Sequence, residues 1–318
     1  MPHARAKRSA KLAADNPLGT PLKDCRTRYV HYTTADAALK IIESKRLWMR
    51  STTCMADFRE VEHGYDMLGG FFSDQANYRH FCQACDDCAP GMAKEAIDLF
   101  NGWWSHIRFG IYVASVSEHV SSEDRFGRLS MWRAFGSGQP RVAVVISVPW
   151  ISGAVDAMGL SFNPVTYMGR DGTHSMIQCV MGNVVRKRDF LRQQGPEQVK
   201  TMLFSMLLSG VACVKHEGFS EEREWRAVLA PKLRTSDLLE SVTETVRGIP
   251  QLVYKIPLDE TKSPLISGLE FSRIFDRIII GPSPYPFVMA DAFARALEAA
   301  GVSDASSKVC ASDIPIRE

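Results

Sequence analysis

The chain has 318 residues, of which 45% are hydrophobic and 23% charged, and its formal net charge is +2. This composition is typical of a globular protein with a sizeable core, and so small a net charge gives no general reason to expect a nucleic-acid partner. No apolar run approaches the roughly 18 residues that a membrane span needs, and a chain of this size does not need its eight cysteines for disulfides, so we expect a cytoplasmic protein without a membrane segment.

The predicted elements begin after an N-terminal tail. Residues 1–26 are basic and lack the apolar segment of a secretory signal, so we expect a disordered tail. Arg28-Tyr-Val-His-Tyr32 predicts a short strand, and Asp36–Lys45 predicts a helix that Thr33 or Thr34 can cap. A second short strand is expected over Leu47-Trp-Met-Arg50.

The rest of the chain mixes helices and strands without a strict alternation. Residues 65–107 have a helical pattern and form a predicted insertion. The other predicted elements are strands over 109–117, 141–148, 251–256 and 277–280, one or two strands within 162–188, helices over 196–216 and 285–300, and a short strand near Val309. We therefore expect an α+β fold, a single compact mixed or antiparallel-sheet domain over residues 27–318.

The stretch from Phe219 to Arg226 carries the strongest candidate for a site. If it is a strand, Glu222 and Glu224 share one face with Arg226, because strand side chains alternate between faces. Three charged groups on one face are costly to bury unless they are paired. The alternatives are a solvated edge strand and an ion pair between Glu224 and a neighbouring arginine.

A run of cysteines, Cys82, Cys85 and Cys88, leaves two interpretations open. Thiolates at this spacing can ligate zinc or an iron–sulfur cluster, with His80 nearby. The same spacing is one face of a helix, on which cysteine packs as a small apolar side chain. No second pair of closely spaced cysteines completes a zinc ribbon, and the second interpretation is favoured.

Several short motifs occur in a characteristic order. They are Tyr29-Val-His-Tyr-Thr33, Leu47-Trp-Met-Arg-Ser51, an acidic loop with Asp57 and Glu60, Ser130-Met-Trp132, Glu222-Arg-Glu-Trp-Arg226, Arg277-Ile-Ile-Ile-Gly-Pro282 and Ser312-Asp-Ile-Pro-Ile-Arg317. This order resembles a widespread bacterial family known only as a domain of unknown function. The acidic loop and Phe135, where the family usually has tyrosine, depart from its pattern.

The pattern also resembles, through fewer residues, the ADP-ribosyltransferases, which cleave NAD. The resemblance implies that Glu224 stabilises the positive charge that develops on the ribose and that Glu222 positions the acceptor, a protein or a nucleic acid. It further implies that His31 binds a ribose, that Ser117 lies on the middle strand of the site, that Tyr32 or Trp132 stacks on nicotinamide, and that Arg50 or Arg317 meets the diphosphate. We expect Trp225 to face the core, and Glu224 to face a cleft that His31 also lines.

The expected function is therefore an NAD-dependent ADP-ribosyltransferase-like enzyme, such as a bacterial toxin or a phage-defence effector. Two alternatives come from other classes. The first is a non-catalytic module of a defence system that binds nucleic acid or protein through the basic tail and Arg125, Arg128 and Arg133. The second is a metal-dependent nuclease that uses Asp57, Glu60, Glu222 and Glu224.

Overall fold

The computed structural model describes residues 27–55, 60–134, 139–149 and 152–315. The expected basic tail over residues 1–26 lies outside these ranges. The strands are β1 (Thr27–Thr34), β2 (Arg46–Ser51), β3 (Tyr112–Glu118), β4 (Arg141–Val148), β5 (Ser161–Pro164), β6 (Thr166–Tyr167), β7 (Val214–Lys215), β8 (Glu224–Leu229), β9 (Glu240–Val246), β10 (Ile249–Pro257), β11 (Phe275–Ile280) and β12 (Val309–Ala311). The helices are α1 (Ala35–Ser44), α2 (Glu60–Ser73), α3 (Gln75–Asp86), α4 (Met92–Gly102), α5 (Trp104–Gly110), α6 (Leu129–Ala134), α7 (Ser152–Ala157), α8 (Arg170–Arg186), α9 (Arg188–Gln194), α10 (Pro196–Ala212), α11 (Phe271–Ile274) and α12 (Pro286–Ala299).

The fold is a mixed α/β arrangement around a mostly antiparallel, open sheet. Within the described residues, ten strands form this sheet, and the path through it runs β12-β11-β4-β1-β3-β2-β10-β9, with β8 attached to β3 and β5 attached to β8. Among the strands that the structure describes in this sheet, β11 and β12 pair in parallel and the other pairs are antiparallel. Strands β6 and β7 form a separate parallel pair. The open sheet agrees with the expected α+β class.

Strand β3 is the point at which the sheet forks. Strand β8 pairs with β3 along its whole length, from Tyr112↔Leu229 to Ser117↔Glu224. Strands β1 and β2 must therefore share the opposite edge of β3, where Val30 pairs with Ser117 and Arg50 with Val113. We call the stretch of this edge between the two pairings, residues 114–116, the fork. Beyond it the sheet continues as two half-sheets, one through β1 and the other through β2.

The two faces of the sheet are covered differently. The core face carries the main hydrophobic core, in which Tyr29, Val116 and Leu229 from the strands pack against α1, α7 and α12. The opposite face is covered at Val113 and Val228 by a helical layer built from α2 to α5 and α8 to α10. A small third cluster, with Tyr32 and Trp132 at its centre, lies on this opposite face beside α6.

Local sequence explains several boundaries of these elements. Thr34 caps the start of helix α1, because its hydroxyl accepts a hydrogen bond from the amide of Ala37 at 3.3 Å, and Lys45, which has a φ of 50°, caps its end. Helix α10 begins with proline at its first turn. None of the helices in the described residues is long and apolar enough to cross a membrane.

The structure differs from the predicted elements in three places. The one or two strands predicted within 162–188 are present as β5 and β6, but helix α8, which follows them, was not predicted. Helix α10 ends at Ala212, so Lys215 and His216 do not belong to its last turn. Strand β9 was missed, because its alternation of exposed and half-exposed residues contains no strongly apolar face.

Candidate functional site

The two acids of the Glu222-Arg-Glu-Trp-Arg226 stretch do not share a strand face, which corrects our expectation. Glu222 ends a 3₁₀ helix, and Arg223 follows with a φ of 45° in the left-handed region. Strand β8 begins only at Glu224. The alternation of strand side chains therefore applies to Glu224 and Arg226 but does not extend back across the turn to Glu222.

Glu224 forms a buried ion pair with Arg226. The Nε atom of Arg226 lies 2.7 Å from Oε1 of Glu224, and Nη2 lies 3.0 Å from Oε2. Arg226 is only 1% exposed and Glu224 only 6% exposed. Nη1 of Arg226 also donates to the carbonyl oxygen of Ala212, 2.8 Å away, at the end of α10. The stretch therefore matches the ion-pair alternative that the sequence analysis left open.

Lys215 extends this pair into a network of two acids and two bases. Its Nζ atom lies 2.7 Å from Oε2 of Glu222 and 3.6 Å from Oε2 of Glu224. Burial by itself raises the pKa of Glu224, but the charge and hydrogen bonds of Arg226 outweigh it and bring the pKa below its usual value. Glu224 is consequently an ionised carboxylate whose charge is already balanced.

His31 lies at the fork, one residue beyond the last backbone pairing of β1 with β3, and its ring contacts β3. Its Nδ1 atom is 2.8 Å from the carbonyl oxygen of Ser115. Burial lowers the pKa of His31 below its usual value, so the ring is neutral near pH 7. Because a carbonyl oxygen only accepts, Nδ1 carries the proton and Nε2 is left as an acceptor.

His31 and Glu224 do not line the same cleft, which corrects a second expectation. Glu224 is aligned with Ser117, and Ser117 with Val30, so these three side chains leave the sheet on one face. His31 follows Val30 in the strand and leaves on the core face. Of the predicted site residues, the sheet brings Ser117 next to Glu224 and keeps His31 apart from both.

A group of residues on the core face was missed by the sequence analysis. Glu118 is aligned with Tyr29 in the sheet, and its Oε1 accepts a hydrogen bond from Nε1 of Trp225 at 3.0 Å. Tyr29, Trp225 and Phe162 contact one another, with ring centroids 5.2–5.6 Å apart. Trp225 packs against the main core, as predicted. Since β1 alternates, His31 leaves the sheet on the same face as this group.

The carboxylate of Glu118 differs from that of Glu224 in its surroundings. Glu118 is half-buried. It takes part in no ion pair with another described residue, whereas Glu224 is held by Arg226 and Lys215. Its negative charge contributes to raising the pKa of the neighbouring Tyr29, after the larger effect of burial. Glu118 is therefore an available carboxylate on the face of His31.

The predicted stacking residues, Tyr32 and Trp132, lie inside the protein. Trp132 is 1% exposed, and its ring meets that of Tyr32 edge to face with centroids 4.9 Å apart. The hydroxyl of Tyr32 accepts the amide hydrogen of Arg128, and Nε1 of Trp132 donates to the carbonyl oxygen of Phe126. Neither ring offers a free face for a nicotinamide, so this expectation was wrong.

Arg50 is held by its own half-sheet. Its Nε donates to Oε1 of Gln251 and its Nη2 to the carbonyl oxygen of Cys54, each over 2.9 Å. Arg50 pairs with Val113, so it lies on the face opposite His31. The structure therefore does not bring Arg50 to His31. The other predicted diphosphate ligand, Arg317, lies outside the described residues. Asp57 of the acidic loop and Phe135 also lie outside them.

Of the three arginines of the predicted nucleic-acid surface, Arg128 makes internal contacts, whereas Arg125 and Arg133 are exposed. Arg128 binds the carboxylate of Glu123 and the carbonyl oxygens of Glu118, Glu221 and Glu222 over 2.8–3.2 Å. Arg125 is exposed and pairs with Asp313. Arg128 thus ties the end of β3 to the turn before β8, which makes it unsuited to the nucleic-acid contacts of our first alternative.

The cysteine run behaves as part of the helical core. Cys85 is fully buried and Cys88 nearly so, and Sγ of Cys88 donates to the carbonyl oxygen of Cys85 at 3.0 Å. Burial raises the pKa of Cys85 to about 12, which disfavours the thiolate that a metal requires. In the described part of the chain, no three histidine, cysteine or acidic side chains are grouped so that they could hold a metal ion. Cys82 shares the helix α3 with Cys85.

Comparison with known protein families matches part of the chain. Residues 131–227 match the model of a family described as a protein of unknown function, DUF2971. The matched segment begins within α6 and ends within β8, so it includes Trp132, Glu224, Trp225 and Arg226 but not His31. No curated protein and no solved structure matches the chain.

Proposed function

We propose that this protein cleaves the nicotinamide–ribose bond of NAD and transfers the ADP-ribose, as an ADP-ribosyltransferase-like enzyme does. The observation that carries the proposal is the position of His31 at the fork of the sheet. Its tautomer is fixed by the carbonyl oxygen of Ser115, and its Nε2 can accept a hydrogen bond that a hydroxyl group of the ribose donates. An enzyme with this activity would act as a bacterial toxin or as a phage-defence effector.

Glu118 is the residue that we assign to the chemistry, in place of Glu224. Cleavage builds positive charge on the ribose, as in glycoside hydrolysis, and a carboxylate held beside the ribose stabilises that charge. The indole N–H of Trp225 orients Glu118 at 3.0 Å. Glu224 is a poor candidate in this arrangement, since Arg226 occupies both of its oxygens.

The reaction needs no group beyond NAD and an acceptor. The acceptor nucleophile forms a bond to C1′ of the ribose, nicotinamide leaves with the electron pair of the broken bond, and the acceptor loses one proton to the solvent. The partly exposed rings of Phe162 and Trp225, which are tilted by 35° to each other, offer the apolar surface against which we expect nicotinamide to pack. Water, a protein side chain or a nucleic acid can each serve as the acceptor in this scheme.

The test is release of nicotinamide from NAD, followed by chromatography, for the wild type and three variants. We expect His31→Ala and Glu118→Gln to reduce the rate by about 100-fold or more, because each removes a group that acts on the reacting sugar. Glu221→Gln is the matched control, since it removes an exposed carboxylate from the 3₁₀ helix before β8. Circular dichroism checks that every variant is folded.

Two outcomes contradict the proposal. If the wild-type protein neither binds NAD in calorimetry nor releases nicotinamide, the function is wrong. If a folded Glu224→Gln variant loses activity while Glu118→Gln retains it, the assignment of the carboxylate is wrong and the original sequence-based assignment holds.

A further inference from the structure

The helical layer contains a cleft that no part of the proposed NAD site uses. It has a volume of about 300 Å³ and lies between α2, the start of α3, α4 and α10. Its floor is apolar and buried, with Leu68, Ile97 and Leu207. A volume of this size matches the lower end of typical small-molecule sites.

Aromatic rings form the walls of the cleft. Tyr65, Phe72 and Tyr78 line it and are half-buried, and Phe100 lies deeper. The ring of Trp104 does not line the cleft but stacks on the ring of Tyr65, with centroids 3.7 Å apart. The faces of aromatic rings carry partial negative charge and attract cations that come within about 6 Å.

The polar groups at the rim of the cleft also favour a cation over an anion. The charged side chain among the described lining residues is Asp98, beside Asn101 and Ser73. Asp98 pairs with Lys94, but both are exposed, with side chains 58% and 66% accessible. An exposed pair of this kind contributes little stability, so an incoming cation can replace Lys94 at low cost.

We propose that this cleft binds a small organic ammonium ion, with the apolar part of the ligand between the rings and its charged nitrogen at Asp98. Four aromatic rings and one carboxylate complement an organic cation and disfavour an anion. The proposal is independent of NAD cleavage, because the cleft shares no residue with His31, Glu118 or the aromatic group on the core face.

Three probes of similar size and different charge test the ligand class. They are 2-phenylethylamine, 2-phenylethanol and phenylacetate, and calorimetry or ligand-observed NMR measures their binding to the full chain. We expect the amine to bind most tightly, the alcohol more weakly and the carboxylate least. Asp98→Asn should weaken binding of the amine by about threefold and leave the alcohol unchanged.

A pair of neighbouring glycines tests the location. Gly69 lines the cleft, Gly70 does not, and a Cβ at either position meets no atom within 4 Å. Leucine favours a helix more than glycine does, so both variants should fold. We expect Gly69→Leu to abolish binding of the amine and Gly70→Leu to leave it unchanged. Equal binding of the three probes, no binding of the amine, or equal effects of the two leucines would overturn the proposal.

Discussion

Arg226 and Glu224 lie two residues apart on the same strand, and their side chains meet over the helical-layer face of the sheet in a two-pronged ion pair. The alternation of strand side chains makes this geometry available within a single strand. Because Arg226 also binds the last turn of α10 through the carbonyl oxygen of Ala212, the pair joins the sheet to the helical layer.

We predict that Arg226→Met destabilises the protein by about 3–5 kcal/mol, because it leaves the buried carboxylate of Glu224 without its main partner. Adding Glu224→Gln should recover part of this loss, since the uncompensated charge is then removed. Urea denaturation of the two single variants and the double variant measures the coupling. A loss of no more than about 1 kcal/mol for Arg226→Met, as for an exposed pair, would contradict this prediction.

Stability should fall as the pH drops below about 6.5, the usual pKa of histidine. Burial lowers the pKa of both His31 and His119 in the folded protein, although Asp124 partly opposes the effect at His119. The unfolded chain therefore binds more protons than the folded one below this pH, and the free energy of unfolding decreases until the folded pKa values are passed. Denaturation midpoints across this range measure the slope.

Two variants give this pH prediction its control. His31→Gln and His119→Gln should each flatten the slope, and the double variant should flatten it further. The stabilising contribution of Glu224, whose pKa is also lowered, is present above about pH 4.3 and is lost only at lower pH. A slope unchanged in the double variant would show that other groups are responsible.

Helices α2 and α10 approach closely at Gly64, and we predict that Gly64→Ala destabilises the protein by about 1–3 kcal/mol. A Cβ at this position would lie 2.6 Å from the carbonyl oxygen of Val211, so the two helices must separate. Gly70→Ala in the same helix meets no atom and should instead stabilise by about 1 kcal/mol. Thermal denaturation of both variants checks the opposite signs, and a shift in the same direction would refute the close packing.

Strong local patterns in the sequence predicted individual elements well. The β-branched run from Arg141 to Val148 has the bounds of strand β4, and the helix predicted over 285–300 agrees with α12 to within one residue at each end. Such segments owe their structure to residues near in sequence. Strand β9 and helix α8 have mixed polar patterns and depend on packing against distant segments, so the sequence alone did not indicate them.

The candidate site brings together residues that lie far apart in the sequence, so a local sequence pattern cannot predict it. The alternation of strand side chains does not extend to Glu222, because Arg223 separates Glu222 from β8 and has a positive φ. The sequence did not indicate Glu118 as a site residue, because its neighbours in the structure are Tyr29, 89 positions earlier, and Trp225, 107 positions later. Only the register of β3 with β1 and β8 reveals that these residues meet.

The fork at β3 also bears on how the chain folds. This strand is bordered on one edge by residues near the N-terminus and on the other by residues 224–229, and contacts between such distant segments slow folding because long loops must close first. During synthesis, β3 leaves the ribosome more than 100 residues before its second neighbour does. The edge that later receives β8 is unpaired in that interval, and such an edge invites association with other chains. Chains that are truncated before Glu224 should therefore be the most prone to aggregate, and we expect them to bind chaperones more than the full chain does.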